Sequence, residues 1–440
     1  MNSVYLPRSK KIIFTLTLIF LSCIFIGIIL LGIKTITILL AGLLVSVVIF
    51  LNPFIGLLIL VFLDPLSTLI VLPGFGNLGK ILGFYTIFVW LLNKLVYKKN
   101  IKTNRVLWLA LAFLLWGTLS MFWAVNPIIS LNFIYRLIRY IAIYLLMINF
   151  LDSEEKFNWV IFAFISGCFI MNIVGLNLFI KEGSTVVKYR MAMADQNPNI
   201  FGVTLGTAML YLWYFFNSKS VKHFNKVIIF FIGIFFLIGF LLAQSRGAWI
   251  AFIICISGYF VFTKKRINLK NVFIIISFFL LIILAYNTIL YFFPENIENL
   301  SYRALAIFFS PEEVMSIRVS YWKAGLERWS KNPMLGIGLF NFRTVHIDDP
   351  HSDYIAILCE LGLVGFTIWI FLIFSLFKIA KSNKYYSITI FILLFLLINS
   401  FKGTHHTSPF YWYMFGIISA TSFQDQKLIK RNSEKGAKSS

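Results

Sequence analysis

The sequence predicts an all-α, polytopic membrane protein of about 12–14 transmembrane helices, and three observations predict it. The 440-residue chain is 60% hydrophobic and only 13% charged, and it carries 49 Phe. That is more apolar surface than one aqueous core absorbs. Runs of about 17 to 25 apolar residues, each long enough to cross a ~30 Å hydrocarbon layer as a helix, recur along almost the whole length. Basic residues gather between alternate runs, as cytoplasmic loops require.

The first run, 12–33, is too long for a signal-peptide core and lacks a small-residue cleavage site. It leads straight into further runs, so it is expected to be an uncleaved anchor. Spans at 35–51 and 54–72 follow. Asp64-Pro65 interrupts the latter and marks a kink or a broken helix whose Asp is satisfied locally. Spans at 81–97, 106–123, 133–151, 157–180, 199–217, 226–243, 247–263 and 272–293 complete an N-terminal transmembrane region, 1–293. Residues 294–351 are the one sizeable insertion between spans. Spans at 352–378, 384–400 and 409–422 lie in a C-terminal transmembrane region, 352–424, and the polar stretch 425–440 is expected to be a disordered cytoplasmic tail.

Alternating the spans from an inside N-terminus places Arg8, Lys10 and Lys11, the Lys94–Arg105 group, Lys219, Lys222 and Lys226, the Lys264–Lys270 group, Lys378, Lys381 and Lys384, and the tail from Lys427 on one side. By the positive-inside rule that side is cytoplasmic, so both termini are inside and 294–351 is extracytoplasmic. Most of the net charge of +22 is therefore topological and calls for no nucleic acid. Cys23, Cys168, Cys255 and Cys359 fall within spans without paired spacing and read as small buried hydrophobes.

Basic residues on the other side are not explained by topology: Arg136 and Arg139, Lys188 and Arg190, Arg246, and those of 294–351. An arginine at membrane depth costs several kcal/mol unless it snorkels, pairs or meets an anionic ligand. Snorkelling, or pairing with Asp195, Glu182 or Glu360, competes with a functional role for each. In "LLAQSRGAWIAF", 241–252, Ser245-Arg246-Gly247 turns between two spans and sets an arginine at the outer tip. In "KYRMAMADQNPNIFG", 188–202, Arg190 precedes an Asn-Pro-Asn turn whose Asn199 is expected to cap the next span. Free amides at helix N-termini favour anions.

Within the insertion, Ser310, Pro311 and Glu313 form a capping-box pattern, and Val319, Trp322, Leu326 and Trp329 recur at helical spacing. This reads as an interfacial amphipathic helix, or as a helix that caps a small domain of its own. "DDPHSDYIAILCELG", 348–362, then carries His351 to the start of the next span.

Taken in order, "SRGAW", the run from Arg318 through "NPMLGIGLFNF", and "HSDYIAILCELGLVGF" resemble the signature of the O-antigen ligase and O-antigen polymerase superfamily, over roughly residues 190–380. The resemblance implies a membrane-embedded GT-C glycosyltransferase that moves a glycan from an undecaprenyl diphosphate donor to an acceptor hydroxyl, on a lipid A-core or another surface glycan. It implies a site at the outer face of the bacterial inner membrane, with membrane lipids around it and with no nucleotide sugar, cofactor or metal. Carried over by motif, Arg190 and Arg246 hold the diphosphate and His351 activates the acceptor. Arg136 and Arg139 are candidates for a further phosphate contact, with Arg318, Asp353 and Tyr354 as supporting residues.

The chemistry suits these residue types on its own terms. Guanidinium forks place a lipid diphosphate and stabilise the charge that grows on its bridging oxygen. A histidine of ordinary pKa takes a hydroxyl proton near neutral pH, and a helix start favours the neutral ring. Attack opposite the leaving group inverts the anomeric centre. Asp353 or Asp349 is expected to orient His351, and Tyr354 to anchor at the interface or line the sugar site. His346, His405 and His406 are rival bases, and Asp348, Asp349 and Asp353 are a competing metal site. A repeat-unit polymerase shares the chemistry; a protein O-oligosaccharyltransferase and a polysaccharide transporter are further alternatives, the last calling for repeat symmetry and paired broken helices.

Overall fold

The computed structural model describes residues 35–69, 71–72, 76–182, 190–193, 196–218, 222–262, 311–346, 348–381 and 386–436. The expected spans 12–33 and 272–293, with Cys23, Lys188, Asp195 and the Ser310 cap, lie outside these residues. The chain divides into two units, Met1–Gly56 and Leu57–Ser440. The first holds α1 (Thr35–Leu51) and the opening turn of α2 (Pro53–Leu63).

In the second unit, α2 ends at Leu63, one residue before Asp64-Pro65, and gives way to hydrogen-bonded turns and a hairpin of β1 (Val71–Leu72) and β2 (Gly76–Asn77). The expected span 54–72 is thus an 11-residue helix of about 16 Å, because proline removes a backbone donor and clashes with the preceding turn. These two-residue strands are the only strands among the described residues. The rest is helical: α3 (Leu78–Val96), α4 (Arg105–Leu119), α5 (Pro127–Phe150), α6 (Glu154–Glu182), α7 (Pro198–Asn217), α8 (His223–Leu242), α9 (Arg246–Phe262), α10 (Pro311–Lys331), α11 (Phe342–Val345), α12 (Asp353–Lys381), α13 (Tyr386–Ser400) and α14 (Pro409–Gly436). The chain is an all-α, multi-pass membrane protein: α3, α4 with its short 3₁₀ extension, α5, α6, α7, α8 and α12 are each long and apolar enough to cross a bilayer, and α2 and parts of α1, α9 and α13 are shorter apolar helices.

Local chemistry sets the helix starts. Asn77, Asn104, Asn126 and Asn197 each cap with a side-chain oxygen, and Pro127 and Pro198 occupy first helical positions where a missing N–H costs nothing. The cap of α7 is therefore Asn197 rather than the expected Asn199, which leaves the Asn199 amide for another partner. Packing runs α5 against α14, α4 against α12, α9 against α13, and α7 against α8. Tyr144, Tyr211, Trp369 and Trp412 are fully buried between these layers. The tail expected to be disordered instead continues α14 as helix to Gly436.

One interruption positions the site. Gly362 sits within α12 at φ +64 and breaks its helical path. The 332–341 loop lies along the break: Ile337 N donates to Cys359 O, Gly338 N to Glu360 O, and Leu363 N to Pro333 O. A Cβ at Gly362 would collide with the Met334 carbonyl, and one at Gly336 with the Glu360 carbonyl, so both glycines are required by close approach as well as by positive φ. The Glu360 carboxylate, one of the partners expected for an arginine, is used here: it accepts from the backbone N–H of Phe340 and of Phe342.

Candidate active site

Four cations converge at the end of the bundle where the 243–245 turn, the 190–193 segment and the 401–408 loop meet. Arg190 is buried, with Nε donating to Ala243 O at 3.0 Å and a terminal nitrogen to Asn199 Oδ1 at 2.9 Å. This is why Asn197 and not Asn199 caps α7: the Asn199 amide is turned onto the guanidinium. Met191 N donates to Leu242 O, which ties the segment to the end of α8. The turn that follows holds Gln244 at φ +49, an uncommon left-handed position for a residue with a side chain, and delivers Arg246 to the first position of α9.

Lys402, which the sequence does not single out, reaches this turn from the α13–α14 connection. Its Nζ donates to Ser245 Oγ at 3.0 Å, and its stem lies over Gly247, where a Cβ would collide with it. Gly247 thus admits the approach of a lysine from 155 positions further along the chain. Burial, then the charges of Arg318 and Arg190, holds the Lys402 ammonium well below its ordinary pKa. Arg318, on α10, is lowered by burial and then by Arg246. Arg190, Arg246, Arg318 and Lys402 are therefore within electrostatic reach of one another in a chain of pairs.

Arg318 also leads to His351. One turn along α10, Tyr321 packs against both histidines of the insertion, its ring 4.7 Å from that of His346 and 5.9 Å from that of His351. Trp322 Nε1 donates to Pro350 O at 3.0 Å, and Gly325 lets Ile355 and Phe342 pack close. The amphipathic helix is thus docked on the start of α12 through Tyr321, Trp322 and Gly325, while Leu326 stays exposed. His351 precedes α12 at φ +49 with its side chain 30% exposed, open enough to meet a substrate. On its other flank, Tyr354 packs at a tilt against Phe401, ring centroids 4.4 Å apart, and donates to Leu397 O. Phe401 adjoins Lys402, so the circuit closes. Tyr354 is thus tied to the end of α13 and to the loop that follows it.

The acids divide differently from expectation. Asp348 Oδ2 lies 3.6 Å from His351 Nε2. Asp349 pairs with Arg343 at 2.7 Å, which raises the Arg343 pKa. Asp353, buried completely, accepts from both the backbone N and the ring Nδ1 of His406, the latter at 2.6 Å. Of the three, Asp348 is the one beside His351: Asp353, at the first position of α12, points into the bundle while His351, outside the helix, points away.

The rival histidines are accounted for. His346 sits with Nδ1 3.3 Å from Asp348 N. His405 is buried and stacks on Tyr411 at 4.9 Å, and burial pushes its pKa down to about 4. His406 is held by Asp353. Arg139 covers the rings of Tyr135 and Tyr140, and the Tyr140 hydroxyl donates to Thr407 O.

Fold and site together define an all-α multi-pass membrane protein with a cationic, histidine-bearing site at one end of its bundle. Residues 230–370, about a third of the chain, match the family model described as O-antigen ligase. The match contains Arg246, Arg318 and His351; Arg190 and Lys402 lie outside it. No curated protein matches the chain.

Proposed function

We propose that the protein is a lipid-linked glycan transferase of the ligase type. It moves a glycan from undecaprenyl diphosphate to an acceptor hydroxyl on a lipid A-core or another surface glycan. The observation that carries this reading is the circuit from Arg246 through Arg318 and Tyr321 to His351. It links a pair of guanidinium groups to a partly exposed histidine through one aromatic side chain. Guanidinium forks suit a diphosphate, and the left-handed φ of His351 is the kind of strained backbone that surrounding structure sustains at working sites.

In the proposed reaction the acceptor oxygen attacks the anomeric carbon while the bond from that carbon to the diphosphate oxygen breaks. His351 takes the hydroxyl proton, with Asp348 steadying the imidazolium that forms. Arg246 and Arg190 receive the charge that grows on the leaving diphosphate, with Arg318 in support. Attack from the opposite face inverts the anomeric centre, and the cations supply the positive charge that a metal ion would otherwise bring. In this reading the site faces the extracytoplasmic side of the bacterial inner membrane, with both termini in the cytoplasm, 294–351 as the outer loop between the helices of 1–293 and 352–424, and 425–440 inside.

A deletion strain tests the reading. Long glycan chains that accumulate on undecaprenyl diphosphate support a ligase. Single repeat units on the final acceptor point to a polymerase of the same chemistry. Unchanged glycans on both carriers contradict the proposal.

A further inference from the structure

We propose that the cleft between the far ends of α7, α9 and α13 binds an anionic phospholipid, with an acyl chain in the cleft and the headgroup beside Lys222 and Lys226. The site is separate from the donor site proposed above, at the opposite end of the same three helices.

Position assigns the cleft to a leaflet. α7 begins where Asn199 accepts from Arg190, α9 begins at Arg246, and α13 runs out into Phe401 and Lys402, so all three meet the candidate active site at one end. Toward the other end they enclose a cavity of about 230 Å³, walled by α7 from Leu210 to its cap Ser218, by α9 from Cys255 to Tyr259, and by Ile388 and Phe391 of α13. Asn199 and Asn217 are about 27 Å apart along α7 by the rise of an α-helix, close to the ~30 Å of a hydrocarbon layer. The cleft therefore belongs to the leaflet opposite the active site. Its wall from Leu210 to Ser218 extends about 12 Å, nearly the depth of one leaflet's hydrocarbon.

The lining is graded along that depth. Leu210, Cys255 and Phe391 are buried, and the Cys255 thiol is turned onto Phe391 O at 3.5 Å. Toward the helix ends Tyr214, Ser218 and Tyr259 are half-buried and Asn217 is exposed, so among the described residues the cleft opens on this side. Trp213 meets Tyr259 edge-on at 5.9 Å, and Tyr259 meets Phe391 at 5.5 Å, an aromatic arrangement suited to a membrane interface. An empty apolar cleft forfeits dispersion contacts that an acyl chain restores and that water does not.

Charge selects the headgroup. Lys226 Nζ lies 5.9 Å from the ring centre of Phe216, the neighbour of Asn217, and Lys222 stands at the N-cap of α8. On the α13 side, Thr389, the neighbour of Ile388, donates to Ala380 O, which brings the end of α12 with Lys378 and Lys381 to the same end of the bundle. α7, α8, α9 and α13 contain no Asp or Glu. The positive-inside rule accounts for the side on which these lysines lie, but not for an aromatic cleft that opens beside them. Basic residues over an apolar cleft fit an anionic lipid better than a zwitterionic one.

Photolabelling tests the site. Full-length protein in nanodiscs receives phosphatidylglycerol with a diazirine at the end of one acyl chain, and adducts are mapped by peptide mass spectrometry. Label is expected to concentrate on 210–218, 255–259 and 388–391 relative to the exposed face of α3 at Phe84, Phe88 and Leu95. Unlabelled phosphatidylglycerol should displace it about tenfold better than phosphatidylethanolamine does. Ile256→Trp, which fills the cleft, should remove the label, and Lys222→Gln with Lys226→Gln should abolish the preference for phosphatidylglycerol. Label spread evenly over α3 and the cleft, or kept in Ile256→Trp, overturns the site. Equal displacement by the two lipids in the wild type overturns the choice of an anionic lipid. Should Ile256→Trp fail to fold, the lysine double variant decides, and an unchanged preference overturns the proposal. No arm measures glycan transfer or donor binding, so failure here leaves the donor reading standing.

Discussion

The ring of His406 meets the carboxylate of Asp353 with 2.6 Å between Nδ1 and Oδ1, and both side chains are buried. The two residues are 53 positions apart, and their contact fixes the start of α12 to the 401–408 loop. His351 lies just before that helix start and Lys402 lies within that loop, so the pair holds the proposed base and a cation of the site in one frame.

Breaking this pair is expected to be expensive. Asp353→Ala leaves a buried histidine without its acceptor, and removal of one member of a buried pair typically costs about 3–5 kcal/mol. The variant should melt well below the wild type in detergent or nanodiscs. A melting temperature equal to the wild type would show that Asp353 is not a structural tie.

The two histidines of the loop bound stability on opposite sides. Burial lowers the His405 pKa from the ordinary 6.5 to about 4, so the unfolded chain takes up that proton first. Stability from this residue is complete above about 6.5 and declines as pH falls toward 4. His405→Phe should remove the decline. For His406, burial alone would lower the pKa, but Asp353, by charge and by hydrogen bond, then Glu360 and Asp349, outweigh burial and raise it above 6.5. Its contribution is therefore present below 6.5 and fades as pH rises through the raised value. Melting curves of wild type and His405→Phe across this range check the first sign, and Asp353→Asn the second.

Gly362→Ala is expected to destabilise the α12 break. It places a Cβ against the Met334 carbonyl at a positive φ, where strain is worth about 1–3 kcal/mol before the collision is counted. Proteolysis of the 332–341 loop should accelerate; unchanged protection would mean the loop is held by other contacts.

How much of this was legible in the sequence depends on whether a feature is local. Apolar runs marked most helices, and the Pro311 start of α10 was readable because it needs nothing beyond neighbouring residues. Arg246 and His351 stood out as charged or titratable residues at the ends of apolar runs. Lys402 did not, because its approach to Ser245 depends on packing between α9 and α13 that no short motif records. Asp353 or Asp349 was expected beside His351 by sequence proximity, but Asp353 bonds His406, Asp349 pairs with Arg343, and Asp348 lies nearest the His351 ring. Asn199 was read as a cap when Arg190 claims it and Asn197 is free to cap. The break in α12 was hidden because Glu360 and Gly362 sit inside an otherwise apolar run long enough to span as one helix.

The arginines should separate by geometry. Arg246→Lys is expected to recover only part of donor use, since a point charge does not reproduce a fork. Arg190→Ala should lose stability as well as donor affinity, because Arg190 also ties Ala243 O to Asn199. Donor titrations beside melting curves distinguish the two. Unchanged donor affinity in both variants would place the phosphate elsewhere, with Arg136 and Arg139 the next candidates.

The most direct test of the central claim is single-turnover glycan transfer by full-length protein in proteoliposomes, supplied with an undecaprenyl diphosphate-linked glycan and its acceptor. His351→Ala is expected to lower the transfer rate by about 10²–10⁴-fold while donor binding stays near the wild-type value. Transfer by His351→Ala at the wild-type rate would contradict the assignment of His351 as the base.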